Sequence, residues 1–128
     1  MSVLTLNHGK LTRTKRFRPD YSYTLSQVDL WEVDEVVILD ITRDKRGSDA
    51  FLEAAAHIAD QCFVPITLGG GIESLEDARR FFQAGADKIA VNTAATPVLI
   101  EQIARKYGSQ SCVLSIDVKA GCVARDCG

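Results

Sequence analysis

The stretch Val36-Val37-Ile38-Leu39-Asp40-Ile41 decides the fold class of this 128-residue chain. It is a continuous, largely β-branched apolar run with polar residues on both sides, which is typical of a strand buried on both faces of a parallel sheet. Similar runs recur at residues 64–68, 88–91 and 112–116. Repeated runs of this kind predict several parallel strands, because an antiparallel strand with one wet face would alternate between apolar and polar residues.

Between these runs the apolar period becomes helical. One predicted helix has a single apolar face made of Phe51, Leu52, Ala55, Ile58 and Ala59. Residues typical of helix starts and ends flank this segment and two later ones. These residues are Ser48 or Asp49 as the first N-cap, Ser74 and Gly85 around the second helix, and Thr96, Pro97 and Gly108 around the third. A shorter helix is predicted over residues 23–33.

The order of these elements predicts the architecture. A first strand at residues 3–6 precedes a short β extension at 11–14. Counting the first strand, five predicted strands end about 23 to 35 residues apart, as expected of repeated βα units. A closed (β/α)₈ TIM barrel typically needs about 250 residues. The sequence therefore predicts an α/β fold that is half of such a barrel over residues 1–119, with an unpatterned tail over 120–128. A flavodoxin-like open sheet fits the same strand count and stays open.

Composition excludes several other classes. A chain that is 46% hydrophobic and 25% charged has the balance of a globular domain. A net charge of −2 argues against nucleic acid as a partner, although a basic stretch is formed by Lys10, Arg13, Lys15, Arg16 and Arg18. No membrane span or signal peptide is recognised, so a cytosolic protein is expected. The cysteines lack zinc-site spacing, so neither a metal nor a cofactor is predicted.

Polar residues follow the predicted strands at the edge where parallel sheets usually bind ligands. Gly69-Gly70-Gly71 comes directly after one strand, and Asn92-Thr93 follows the next. Glycines let the backbone approach a phosphate, and the amide and hydroxyl side chains add hydrogen-bond donors. Asp40 and Asp117 end two further strands; each alone would be an ordinary cap or loop residue, but together beside a phosphate site they suggest acid/base chemistry.

Six motifs in this order resemble the cyclase subunit of imidazole glycerol phosphate synthase over nearly the whole chain. They are Leu39-Asp40-Ile41-Thr42, Leu68-Gly69-Gly70-Gly71-Ile72, Gly85-Ala86-Asp87-Lys88, Val91-Asn92-Thr93-Ala94-Ala95, Gly108-Ser109-Gln110-Ser111 and Ser115-Ile116-Asp117-Val118-Lys119. The Asn-Thr-Ala-Ala form separates the chain from the sister isomerase of histidine biosynthesis, which usually carries Gly-Thr-Ala-Ala.

The resemblance implies a TIM barrel that receives ammonia from a glutaminase subunit docked at the barrel floor. It also implies closure of the imidazole ring of a doubly phosphorylated ribonucleotide, giving imidazole glycerol phosphate and AICAR. The residues that the resemblance assigns are Gly70, Gly71, Asn92 and Thr93 for a substrate phosphate, Asp117 for catalysis, Glu35 and Lys88 for the ammonia gate, and Asp87 for the glutaminase interface.

Two departures from the family pattern leave three functions open. The sequence ends after the fifth predicted strand, so the second phosphate site and the remaining gate residues that the resemblance implies are not in it. The family's other catalytic Asp stands four residues before the glycine matched to Gly9, and here that position is Thr5, which cannot act as a carboxylate acid or base. A relative with a similarly altered first strand serves surface-polysaccharide (lipopolysaccharide) synthesis as an ammonia relay for sugar amidation. The chain is therefore expected to be a histidine-pathway cyclase, a non-cyclising ammonia relay, or an inactive truncated product, and whether it is an enzyme stays open.

Self-association is also expected. An open half barrel would leave its first and fifth strands with unpaired edges. It would also leave an inward apolar face without its opposite wall, the residues expected there being Val36, Ile38, Ile66 and Ala90. A second copy of the chain would cover both features.

Overall fold

The computed structural model describes residues 2–15, 18–20 and 34–124. The strands of this part of the chain are β1 (Ser2–Asn7), β2 (Lys10–Lys15), β3 (Arg18–Asp20), β4 (Val36–Asp40), β5 (Ile66–Gly69), β6 (Lys88–Val91), β7 (Cys112–Leu114), β8 (Asp117–Lys119) and β9 (Cys122–Ala124). The helices are α1 (Asp49–Asp60), α2 (Leu75–Gln83) and α3 (Pro97–Tyr107). The helix predicted over residues 23–33 lies outside the described residues.

The strand order identifies the architecture. Seven of the described strands form one sheet in the order β3-β2-β1-β4-β5-β6-β7. From β1 to β7 every neighbouring pair is parallel, and each new βα unit adds its strand beside the previous one. A flavodoxin-like sheet reverses direction after its first strands, so this alternative is wrong. The predicted partial (β/α)₈ barrel is confirmed.

The N-terminal β extension is also confirmed, and it changes one expectation. β2 pairs with β1 in antiparallel register, so β1 has partners on both sides. The prediction of an unpaired edge at the first strand is therefore wrong. At the other side of the sheet, β7 is the last strand of the order among the described residues.

The core lies between the sheet and the helices, and this corrects the expected orientation of the strands. Val36, Ile38 and Ile66 are at most 2% exposed and share one apolar cluster with Phe51 of α1 and Phe81 of α2. These three residues therefore face the helices, and placing them on an open inward face was wrong.

The opposite face of the sheet is the accessible one. Ala90 was also expected on the open face and does lie there, because its neighbours along the strand are the buried Ile89 and Val91. Its register partners are Gly69 on β5 and Val113 on β7. This face belongs to the inner wall of the partial barrel.

The predicted helix ends are confirmed. Ser48, Ser74 and Thr96 each accept a hydrogen bond from the backbone N–H three residues later and so cap α1, α2 and α3. Gly108 ends α3 with φ of 98°, and Gly85 follows the end of α2 with φ of 108°. Local chemistry therefore fixes where each helix starts and stops.

A hairpin formed by β8 and β9 was not predicted. The two strands pair in antiparallel register, with Val118 opposite Val123. Ala120 and Gly121 connect them with φ of 52° and 79°, as a two-residue type I′ turn requires. Residues 120–124 therefore have regular structure where an unpatterned tail was expected.

Candidate functional site

A cleft of about 650 Å³ opens at the carboxyl ends of β4, β5 and β6. Its walls are mainly the three loops that follow these strands, and α2 and β6 contribute further side chains. The lining residues are Arg43, Asp44, Lys45, Arg46, Gly47, Gly70, Gly71, Ile72, Glu73, Asp77, Arg80, Ala90, Asn92, Thr93 and Ala94. The four residues assigned to phosphate from the sequence, Gly70, Gly71, Asn92 and Thr93, thus line one cavity.

Asp40 holds together the loop that follows β4. Its carboxylate is 3% exposed, and one oxygen accepts hydrogen bonds from the backbone N–H and the hydroxyl of Thr42, at 3.0 and 2.6 Å. The other oxygen accepts from the backbone N–H of Gly47 at 2.7 Å. Acid/base chemistry at Asp40 was therefore a wrong interpretation, because the carboxylate is buried and both its oxygens serve the backbone.

Thr42 extends this network to the first strand. Its side-chain oxygen, in a residue that is 1% exposed, accepts a hydrogen bond from the backbone N–H of His8 at 3.0 Å. The loop after β4 is thereby tied to the turn after β1. Sequence reasoning missed this role of Thr42, although an Asp side chain commonly accepts a hydrogen bond from the backbone N–H two residues later.

The glycines after β5 pack tightly against the Asp40 loop. Gly70 has φ of 110°, and a Cβ there would lie 2.6 Å from the carbonyl oxygen of Asp40. Gly71 has φ of 76°, and a Cβ there would lie 2.5 Å from Cβ of Arg46. Glycine is required at both positions by conformation and by space. The predicted turn is confirmed, while phosphate binding by it remains a prediction.

Asn92 connects the cleft to Asp117. Its side-chain amide donates to a carboxylate oxygen of Asp117 at 3.0 Å and approaches the hydroxyl of Ser115 at 3.5 Å. The Asn92 carbonyl accepts from the N–H of Ala95 at 2.9 Å, which closes a turn carrying Thr93 on the cleft wall. The structure thus brings the candidate catalytic acid beside the phosphate residues, although Asp117 does not itself line the cleft.

Basic side chains of the cleft were not singled out in the sequence. Arg43, Lys45 and Arg46 belong to the loop after β4, and Arg80 comes from α2. Arg80 donates to Asp49 at 2.9 Å and to the carbonyl of Gly47 at 3.3 Å. The loop cations stand within four consecutive residues, R-D-K-R, and this local charge density was the available signal.

The opposite edge of the sheet carries the residues assigned to the ammonia gate. Nζ of Lys88 lies 3.5 Å from a carboxylate oxygen of Glu35, which also accepts from the hydroxyl of Thr67 at 3.4 Å. The Lys88 and Glu35 side chains are 39% and 33% exposed. Glu35 precedes β4 and Lys88 begins β6, so the pair spans β5.

Asp87 lies next to this pair and has a structural role of its own. Its carboxylate accepts a hydrogen bond from the backbone N–H of Ile66 at 2.8 Å, and its own N–H donates to the carbonyl of Ile66 at 2.8 Å. Asp87 therefore pins the start of β5 while remaining exposed. Contact with a glutaminase remains a prediction.

Thr5 stands on the accessible face of β1, opposite Leu39 of β4. Its hydroxyl donates to the carbonyl of Thr12 on β2. The Thr5 side chain is thus engaged in the β1–β2 hairpin.

Shifted pKa values occur at the start of β7 and in the first turns of α2. Burial raises the pKa of the Cys112 thiol at the start of β7, since the thiolate is poorly solvated there. A hydrogen bond from Arg79 lowers the pKa of the Glu76 carboxyl in the first turn of α2. Neither group lines the cleft. In the described part of the chain, no cluster of His, Cys, Asp or Glu is arranged to hold a metal ion, and no helix is long and apolar enough to span a membrane.

The sequential parallel strands and the cleft at their carboxyl ends define a protein of the (β/α)₈-barrel class. Within that class the chain belongs to the histidine biosynthesis protein family, whose model matches residues 2–128.

Relatives of known name agree with this family. The chain is 50% identical over 88 residues to the imidazole glycerol phosphate synthase subunit HisF of Dictyoglomus turgidum, 49% to that of Dictyoglomus thermophilum and 48% to that of Pyrobaculum aerophilum. Each match covers 67% of this chain and 35% of the relative. The chain thus matches about a third of the length of these relatives, and the resemblance derived from its motifs is confirmed.

Proposed function

We propose that this chain binds the phosphate of a sugar-phosphate or nucleotide substrate and takes part in the cyclase step of histidine biosynthesis. The observation that carries the proposal is the cleft that brings Gly70 and Gly71 together with Asn92 and Thr93. Backbone N–H groups at strand ends and the nearby start of a helix favour anions there. The names of the relatives, as subunits of imidazole glycerol phosphate synthase, support the same reaction.

Asp117 is the proposed acid or base of this reaction. The hydrogen bond from the Asn92 amide fixes one of its oxygens and leaves the other available to a ligand. A carboxylate placed next to a bound phosphate is well positioned to move protons on the attached sugar. Removal of such a group typically lowers the rate by about 10²–10⁴-fold.

Titration with inorganic phosphate tests the site directly. Amide NMR shifts are expected at residues 70–72 and 92–94. Thr93→Val should weaken binding because it removes a hydroxyl and keeps the shape, whereas Ser109→Ala, an exposed position after α3, should not. Shifts confined to other residues, or equal binding by both variants, would contradict the proposal.

The Glu35–Lys88 pair is proposed to gate ammonia supplied by a glutaminase subunit. The pair stands at the edge of the sheet opposite the cleft, and its ionic contact is weak enough to open, since exposed pairs contribute only about 0–1 kcal/mol. Asp87 is proposed to contact the glutaminase beside it. If the pair controls the passage of ammonia from the glutaminase, Lys88→Met should impair glutamine-dependent turnover more than turnover with free ammonia.

A non-cyclising ammonia relay for sugar amidation is the second candidate, and Thr5 favours it. The Thr5 hydroxyl donates a hydrogen bond to the Thr12 carbonyl, so this position offers no group for proton transfer. The Glu35–Lys88 pair, which is proposed to gate ammonia, is present. Assay of the chain with free ammonia and the cyclase substrate separates the two functions. Turnover about 10²-fold or more below that of a HisF relative supports the relay, and comparable turnover supports the cyclase.

We also propose that copies of the chain associate through the edge formed by β7 and the β8–β9 hairpin. The exposed apolar side chains there are Val113, Leu114, Ile116, Val118 and Val123. Contiguous apolar surface of this kind commonly mediates association. Light scattering should give a mass above 14.0 kDa. The double variant Val118→Thr/Val123→Thr should lower this mass, whereas Val98→Thr on α3 should not; a monodisperse monomer would contradict association.

A further inference from the structure

The cleft is larger than the phosphate it is proposed to hold. Its volume of about 650 Å³ lies within the range of sites for whole small molecules, roughly 300–1,000 Å³. The proposed phosphate donors come from the loops after β5 and β6, whereas the wall after β4 consists of charged side chains. A ligand bound by its phosphate therefore has a second part that meets this charged wall.

Arg43 and Lys45 of that wall form no ion pair within the described residues, whereas the third cation of the loop, Arg46, donates to the Thr42 carbonyl at 3.2 Å. Asp44, which lies between Arg43 and Lys45, approaches Nε2 of His8 at 3.5 Å. Arg80 is held by Asp49 on the adjacent helix. Two cations are thus available to a ligand in the cleft, because neither forms an ion pair with a carboxylate of the described residues.

The backbone that carries these cations is fixed. Hydrogen bonds to Asp40 from Thr42 at one end of the loop and from Gly47 at the other enclose residues 43–46. The packing of Gly71 against Arg46 fixes the loop relative to the phosphate turn. The distance from Arg43 and Lys45 to a bound phosphate is therefore limited by the fold, although the two side chains are exposed.

We infer that Arg43 and Lys45 determine ligand specificity by favouring a ligand with a second negative charge close to its phosphate. The inference rests on the proposed phosphate site and adds to it the wall that follows β4. Glycine, Asn and Thr donors would hold the first anionic group, and the cation pair would attract the second by charge and by charge-assisted hydrogen bonds. A ligand with a single phosphate would use only the first set.

Calorimetric titration with pyrophosphate and orthophosphate at low ionic strength tests the inference. The wild-type chain should bind pyrophosphate about tenfold more tightly, because two cations are added to the contacts. The double variant Arg43→Ala/Lys45→Ala should lose at least about fivefold of its pyrophosphate affinity and keep its orthophosphate affinity within about twofold. Arg105→Ala/Lys106→Ala, which removes the same charge from the exposed end of α3, should change neither.

Each other result has a defined meaning. Equal loss for both anions, or equal loss in both double variants, would overturn the inference, because a general electrostatic field would then explain binding. Orthophosphate binding without any preference for pyrophosphate would overturn the inference and leave the phosphate site intact. If the wild-type chain binds neither anion, the proposed function fails together with the inference.

Glu73 provides a test of opposite sign. Its carboxylate also lines the cleft and has no ion pair among the described residues. Glu73→Gln keeps the shape and removes a charge that repels anions, so pyrophosphate should bind about twofold more tightly. Weaker binding of pyrophosphate by this variant would contradict the inference that the cleft binds an anionic ligand.

Discussion

The two edges of the parallel sheet are built in different ways. At the carboxyl edge, the buried Asp40 accepts three hydrogen bonds and the glycines after β5 press against the same loop. At the amino edge, the half-exposed Glu35 and Lys88 form one ionic contact, and Asp87 pins a single strand. The cleft edge is thus rigid and densely connected, whereas the opposite edge is held by few, solvent-accessible interactions.

This difference matches the functions proposed for the two edges, which are ligand binding at the carboxyl edge and gating or docking at the amino edge. A binding site benefits from donors that are fixed before the ligand arrives. A gate or docking surface must instead change its contacts, which weak exposed interactions permit. Substitutions at matched positions on the two edges should therefore have effects of different size.

The largest effect is expected for Asp40→Ala. The change leaves Thr42 and Gly47 with unmet donors in a buried loop, and we expect the free energy of unfolding to fall by about 3 kcal/mol. Urea denaturation measures this value. Asp44→Ala in the same loop removes an exposed carboxylate and should cost less than about 1 kcal/mol. Similar losses of unfolding free energy in the two variants would mean that the buried Asp40 stabilises the loop no more than the exposed Asp44 does.

A somewhat smaller loss is expected for Gly70→Ala. The new Cβ would lie 2.6 Å from the Asp40 carbonyl oxygen on a backbone with φ of 110°, and the expected cost is about 2–3 kcal/mol. Gly121→Ala is the matched control, because this residue has φ of 79° and no atom within 4 Å of the new Cβ. Its cost should stay near 1 kcal/mol. Thermal unfolding of both variants would separate the cost of the steric clash from the cost of the backbone conformation. Equal losses of stability would show that the close contact with Asp40 costs nothing.

At the amino edge, Asp87→Ala should cost about 1 kcal/mol, because one partly buried N–H of Ile66 loses its partner. Asp60→Ala at the exposed end of α1 serves as the control and should be nearly neutral. Equilibrium unfolding in urea measures both. A loss as large as that of Asp40→Ala would erase the contrast between the two edges.

The smallest effect is expected within the Glu35–Lys88 pair. A double-mutant cycle with Glu35→Gln and Lys88→Met should give a coupling energy of about 0.5 kcal/mol or less, since both side chains are more than 30% exposed. The coupling should decrease further in 1 M salt. A salt-independent coupling above about 2 kcal/mol would show that this edge is as firmly fixed as the cleft.

Features that depend on local chemistry could be predicted from the sequence. The caps at Ser48, Ser74 and Thr96 and the stop at Gly108 follow from side chains and backbone conformations within a few residues. The order of strands and helices followed from the change between apolar runs and helical periodicity. The grouping of Gly70, Gly71, Asn92 and Thr93 followed from parallel strands ending at a common edge.

Features that depend on distant residues could not be predicted. A strand that is apolar at every position carries no period, so nothing indicated which side of Val36 and Ile38 would face the helices. The burial of Asp40 depends on Gly47 and on the glycines of the next loop. The role inferred for Arg43 and Lys45 depends on a cavity whose other walls lie more than 20 residues away in the chain.

The sequential strand order also bears on how the chain acquires its structure during synthesis. β4 pairs with β1, and each of β5, β6 and β7 pairs with the strand that precedes it in the chain, so every new βα unit leaves the ribosome next to a strand that already exists. Pairing with the preceding unit closes a shorter loop, and so costs less entropy, than pairing with a more distant strand would, and the N-terminal units emerge first during synthesis. We therefore expect β1, β4 and α1 to acquire protection from hydrogen exchange earlier than β7 in a nascent chain.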